Sequence, residues 1–347
     1  MANGEKQSLF KIKIFLKSPY LLAAVFFILG LLGGFFLPYK VKTATTATPI
    51  SSIRLNNNPY HFVNPLLGVD VGEQKDFTEF KPFEAKINDL IGQLKSQGKV
   101  SEVGLYFRDF KTGHWVGVNE NQQFYPASLL KVPLMIAYYK ESQTDSALLS
   151  KQLTYDGKVD ANQAEYIKPA KTIVPGQAYT VESLIEYMIE YSDNNAANLL
   201  LQNLDQNSFN EIYSDLGINL PDETQTETDF MTPKEYALFF RILRNGTYLT
   251  DDLSEKALQI LSQSDYNEGL EAGVSQGTPV SHKFGEHLLL GANGQQTEEF
   301  HDCGIVYSSQ TPYLLCIMTK GKNYSDLEET IKKLSALSYE EVSNNFQ

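Results

Sequence analysis

The stretch that decides the fold is "FYPASLLKVPLMIAYY", Phe124 to Tyr139. A proline precedes a serine, and an apolar run follows, which is how a largely buried helix begins. Ser128 and Lys131 are three residues apart, so on a helix they share a face one turn apart. Pro133 still lies near the first turns, where a missing N–H costs least. A serine there meets free N–H groups and a dipole that favour developing negative charge. A buried lysine beside it, its proton affinity lowered by burial, has the chemistry of a base. Alone, a Ser-x-x-Lys is an ordinary feature of a core helix, and its neighbours must carry the rest.

Upstream, "FEAKINDLIGQLKS" has helical apolar spacing, and "SEVGLYFRDF", the turn "KTG" and "HWVGVN" read as a β-hairpin. Downstream, "VESLIEYMIEY" repeats apolar residues at Val181, Leu184, Ile185, Met188 and Ile189 behind Thr180, a suitable N-cap. "TPKEYALFFRILRNG" is a second helix, with Pro233 early and Gly246 just past its end. Strand character returns in "TPVSHKFGEH", "EEFHDCGIVY" and "PYLLCIMTKG". A last helix, "SDLEETIKKLSALSYEEV", opens with Ser325 and Glu328 as an expected capping box. Two strands, a long helical insertion, three strands and a helix predict an α+β domain over 80–347. Its expected core is a five-stranded antiparallel sheet flanked by terminal helices, with an inserted all-helical lobe.

Two segments give the serine–lysine pair its meaning. "EYSDNNAANLL" puts Ser192, Asp193 and Asn194 at a helix junction 64 residues after Ser128. "SHKFGEH" puts Lys283 and Gly285 in a strand 91 residues further on. Taken singly, these are capping residues and a strand glycine.

The ordered set "SLLK", "SDN" and "KFG" resembles the penicillin-recognising serine hydrolases, class A β-lactamases and the related DD-peptidases. The resemblance implies that Ser128 is the acylated nucleophile and Lys131 its base or proton relay. It implies that Ser192 passes a proton to the leaving nitrogen and that Asn194 bonds the substrate's amide side chain. Lys283 would supply positive potential for a substrate carboxylate, and Gly285 would let substrate approach the strand. The backbone N–H groups of Ser128 and Glu286 would form the oxyanion hole. No cofactor is implied, and the five histidines (His61, His114, His282, His287, His301) lack metal-ligand spacing.

Two departures bear on substrate and turnover. Phe284 stands where the family has a hydroxyl residue that bonds the substrate carboxylate, with His282 and His287 flanking it as possible compensation. The family's deacylating glutamate is followed by a Leu-Asn pair. Here "GINLPDETQTETDFMTP" holds Glu223 and Glu227 with no such pair after either, and Glu227, just before the next helix, is the better candidate.

The net charge is −13, which argues against nucleic acid as a partner. Residues 1–42 hold six lysines and one acid, or +5, leaving −18 for the rest. Between Lys17 and Lys40 run 22 uncharged residues. That is enough to span a hydrocarbon core of roughly 30 Å. It exceeds the apolar core of a cleaved signal peptide, typically about 7–15 residues. The expected organisation is a cytoplasmic tail (1–19), a signal-anchor (20–39), an extracytoplasmic linker (40–79) and the domain, oriented by the lysines before the span. Cys303 and Cys316 fall on successive strands, where either a cross-strand disulfide or two buried thiols fit. The expected function is a membrane-anchored extracytoplasmic serine hydrolase acting through an acyl-enzyme on β-lactams. A DD-peptidase acting slowly on peptidoglycan peptides, or a non-catalytic wall-binding protein on the same fold, are the alternatives.

Overall fold

A computed structural model describes residues 52–54, 58–69, 80–221, 228–290 and 296–345. The expected signal-anchor and residues 222–227, with Glu223 and Glu227, lie outside the described residues. Among the described residues no helix is long and apolar enough to cross a membrane.

Strands β1 (Ser52–Arg54) and β2 (Leu66–Val69) pair with each other. Helix α1 (Lys81–Ser96) buries Phe83, Ile87, Ile91 and Leu94, one stripe at helical spacing. The predicted hairpin follows as β3 (Glu102–Asp109) and β4 (Trp115–Val118). A 3₁₀ turn over Ala127–Leu130 leads into α2 (Lys131–Ser142). Nine consecutive residues of α2, Lys131 to Tyr139, are buried, so it is the axis of the lobe rather than a surface helix.

The lobe continues with the small pair β5 (Gln152–Thr154) and β6 (Ala178–Thr180), then α3 (Val181–Glu190), α4 (Asn194–Leu201) and α5 (Gln206–Asp215). Helices α6 (Pro233–Asn245) and α7 (Asp251–Leu261) complete it. The chain then adds β7 (Val280–Leu290), β8 (Gln296–Val306), β9 (Tyr313–Gly321) and α8 (Tyr324–Asn345). The predicted caps hold: Thr180 accepts from Ser183 N–H, Pro233 opens α6, and Gly246 closes it at φ 58°. The capping box expected at Ser325 does not form. The helix starts a residue earlier, Asn323 caps Ser325 N–H at 2.9 Å, and Glu328 instead bonds the Tyr266 hydroxyl at 3.1 Å.

The antiparallel five-stranded sheet has the order β4-β3-β9-β8-β7, so the hairpin and the three late strands, separated by the lobe in sequence, close into one sheet. Residues in register point to the same face. Lys283, Cys303, Cys316 and Tyr106 form one such row, on the lobe side. The row beside it, Phe284, Asp302, Ile317 and Leu105, faces α1 and α8. Two cores result, one between sheet and lobe, one between sheet and terminal helices. The two cysteines form a cross-strand disulfide, which settles the choice left open by the sequence.

Part of the stretch expected as linker is tied to the domain. The Glu255 carboxylate on α7 accepts the N–H groups of His61, Phe62 and Val63 at 2.7–3.0 Å. Arg244 donates to the Phe62 carbonyl, and Phe62 and Val63 are buried.

Candidate active site

The backbone around Ser128 is held in an unfavourable shape. Ala127 has φ 49°, a left-handed conformation that costs an L-residue of order 1–3 kcal/mol and persists only where the surroundings impose it. The surroundings do so from several sides. Phe124 pairs with Met231 in an isolated bridge, Tyr125 N–H donates to Glu299 Oε2 at 3.1 Å, and Tyr236 OH donates to Leu129 C=O at 2.9 Å. His301 adds a directional brace. Thr319 N–H donates to its Nδ1 at 3.2 Å, which leaves the ring proton on Nε2, 2.9 Å from the Tyr125 carbonyl.

Gly285 explains why β7 can lie against this turn. A Cβ there would stand 3.0 Å from Pro126 O, 3.1 Å from Leu129 N and 3.2 Å from Ser128 N. Only a residue without a side chain admits that approach without the turn giving way.

The second serine joins the two lysines. Ser192, also left-handed at φ 57°, accepts at Oγ from Lys131 Nζ at 3.0 Å and from Lys283 Nζ at 2.9 Å. Lys131 also donates to Ser192 C=O at 2.7 Å, and Lys283 to Phe284 C=O at 3.0 Å. Both lysines are buried. Burial lowers the Lys131 pKa to about 8, although Glu165, Asp193 and Glu286 pull the other way. Lys283 is driven well below its ordinary value by burial and by Lys131. The cluster therefore holds two amines whose protons are loosely kept, bridged by one hydroxyl.

Asp193 anchors this turn from behind. It is fully buried, accepts from Asn162 Nδ2 (2.8 Å), Asn195 N–H (2.9 Å) and Ile173 N–H (2.8 Å), and so binds the β5–β6 loop to the start of α4. Asn194 donates through Nδ2 to Glu165 Oε1 at 2.6 Å and to Ala161 C=O at 3.3 Å.

Ser128, Lys131, Asn194 and Glu286 line one cavity of about 500 Å³, walled by Leu130, Leu134, Leu201 and Phe209 and also lined by Glu165 and His287. Phe284 is buried against Tyr266, ring centroids 4.3 Å apart, and its ring lies 3.9 Å from Lys283 Nζ. His282 does not compensate for the hydroxyl that Phe284 displaces. Its Nδ1 faces Asp302 Oδ1 at 2.8 Å, on the terminal-helix side of the sheet. His287 does reach the cavity, with its ring 4.2 Å from that of Tyr125.

Of the residues singled out by sequence, Ser128, Lys131, Ser192, Asn194, Lys283, Gly285 and Glu286 converge. Sequence reasoning missed Glu165, Asn162, the Asp193 hub, and the His301–Glu299 brace. His301 had a signal: strand alternation pairs it with Gly285. Glu165 had none, since its loop shows no period.

Comparison with known proteins agrees with this geometry. The chain is 25% identical over 290 residues to beta-lactamase ROB-1 of Haemophilus influenzae, covering 80% of this chain and 87% of that one. The solved structure of PBP-A superposes with a TM-score of 0.63 at 23% identity, over 79% of this chain and 99% of that one. The class A beta-lactamase of the last common ancestor of Gram-negative bacteria gives 0.60 at 21% identity, over 74% and 97%. These structural likenesses establish the fold. The model of the beta-lactamase enzyme family matches residues 82–342, most of the chain, and on that extent the chain belongs to the beta-lactamase enzyme family.

Proposed function

We propose that the protein is a serine hydrolase that forms an acyl-enzyme on Ser128 with β-lactams, held outside the cell by the apolar segment 20–39. The carrying observation is the bridge of Ser192 Oγ between Lys131 Nζ and Lys283 Nζ beside the Ser128 cavity. Neutral Lys131 takes the Ser128 proton as Oγ attacks the carbonyl carbon, forming a C–O bond. The oxyanion is met by the N–H groups of Ser128 and Glu286, whose close approach Gly285 permits. When the C–N bond breaks, the leaving nitrogen takes the Ser192 proton, and the Lys131 ammonium restores it. Two lysines donating to one Oγ leave the Ser192 hydrogen free for that transfer. Water then cleaves the ester, with Glu227, or else Glu223, as its activating base.

A DD-peptidase with slow deacylation is the second reading, favoured by the missing Leu-Asn pair after Glu223 and Glu227, without which no deacylating water is positioned. Intact-mass measurement with a reporter β-lactam tests both. Rapid turnover supports the lactamase, and a lasting adduct lost in Ser128→Ala supports the peptidase. No adduct with any β-lactam or acyl-peptide rejects both.

A further inference from the structure

A second cleft, of about 300 Å³, lies on the flank of α4 next to the Ser128 cavity. It is enclosed between Asn195, Asn198 and Gln202 on one side and Thr154 and Val159, at the start of the β5–β6 loop, on the other. Asn198 lines both cavities, so the two meet over one side chain of α4. In the acylation step the leaving nitrogen sits at Ser192. The acyl portion is left the rest of the Ser128 cavity, whose wall runs along α4 as Asn194, Ala197, Asn198 and Leu201.

Asn194, Asn198 and Gln202 are spaced by four residues, so their carboxamides stand in one row along α4. At 1.5 Å per residue the row is about 12 Å long and leads from the first cavity into the second. Asn194 commits its NH₂ to Glu165 and Ala161 C=O and keeps Oδ1 as an acceptor. Among the described residues the side chains of Asn198 and Gln202 make no hydrogen bond, and both are exposed. A carboxamide offers donor and acceptor together, which is what a peptide unit offers in return.

Asn195 has a different part. It is buried, accepts Ala161 N–H at 2.7 Å and donates to Asp160 Oδ1 at 3.0 Å, and so fixes the loop wall against α4. The charged residues of the second cleft, Asp156 and Lys158, pair with each other at 2.8 Å and leave it no unbalanced charge. Apolar surface flanks the row, from Leu201 in the first cavity and the well-exposed Val159 in the second.

Resting on the acyl-enzyme reading, we propose that the second cleft is a subsite for the far end of a long, uncharged, peptide-like acyl group laid along Asn194, Asn198 and Gln202. Two penicillins with the same nucleus test it on the full-length chain in mild detergent. One carries an acetyl side chain and the other an acetylated tetra-alanine, whose four residues span about 13 Å when extended. Second-order acylation is followed by intact mass, and the readout is the long-to-short rate ratio. A merely structural role would slow both probes alike and leave that ratio unmoved.

The expected ratio is about tenfold in the wild type, equivalent to ~1.4 kcal/mol. It should fall toward one in Leu199→Trp, whose ring would fill the second cleft, and part-way in Gln202→Ala. A wild-type ratio near one, or a ratio unmoved in either variant, overturns the inference and leaves the acyl-enzyme reading standing. No adduct from either probe overturns both.

Discussion

The two faces of the central sheet are built on opposite principles. The row Lys283, Cys303, Cys316, Tyr106 faces the lobe and carries a buried amine, while the adjacent row Phe284, Asp302, Ile317, Leu105 faces the terminal helices and is mostly hydrocarbon. On the second face, burial itself stabilises, at about 25 cal/mol per Å² of apolar surface. On the first, burial is costly for each charge and must be offset by partners. Lys131 and Lys283 offset it by donating to Ser192, and beside them Asp193 accepts from Asn162 and two backbone N–H groups. One face holds the fold, and the other holds a poised proton affinity.

The largest effects should separate these roles. Ser128→Ala should abolish any adduct, and Lys131→Met should slow acylation by roughly 10²–10⁴-fold, the usual range for a general base. Both should keep a normal melting transition, and unfolding of Lys131→Met at room temperature would merge the roles contrasted here. Because the Lys131 pKa is lowered to about 8, its base form grows with pH below 8 and levels above it. Acylation should therefore rise about tenfold from pH 6 to 7, measured by stopped-flow quench. A flat profile would remove Lys131 from the role of base.

The opposite signature is expected on the hydrocarbon face. Phe300→Ala, at a fully buried site between Phe284 and Tyr324, should cost about 3–5 kcal/mol by denaturant titration. The acylation rate of the protein that remains folded should stay close to normal. Gly285→Ala crosses the division, because its Cβ would press on Pro126 O and Ser128 N. It should slow acylation by about 10²-fold, since misplacement by about 1 Å costs that much, with a small loss of stability. Equal losses in rate and stability would deny the glycine its positioning role. The smallest effect on rate belongs to the disulfide. Cys303 and Cys316 are 13 residues apart, so replacing both with alanine should cost about 2–3 kcal/mol and little activity.

Much of this was legible without coordinates. The strand–lobe–strand order followed from periodicity, and Ser128, Lys131, Ser192 and Lys283 from ordered motifs, because each motif needs a particular local backbone. His301 was only half legible, since alternation gives its face but not the Tyr125 carbonyl it braces. Glu165 was opaque. It reaches Asn194, 29 residues on, through a loop whose path is set by Asn162 and Asp193. The tie of residues 58–65 to α7 was equally hidden, because one carboxylate on a helix satisfies three distant N–H groups.

By itself, then, the sequence determined the elements, the sheet with its inserted lobe and the candidate residues for the chemistry, since those depend on residue type and local spacing. Tertiary structure alone decided that Cys303 is bonded to Cys316, that Ala127 is held left-handed beside Ser128, and that Glu165 and Glu286 line one cavity. The last two depend on segments far apart in the chain, and the first on the register of two neighbouring strands. Their energy comes from burial and pairing that no local pattern records.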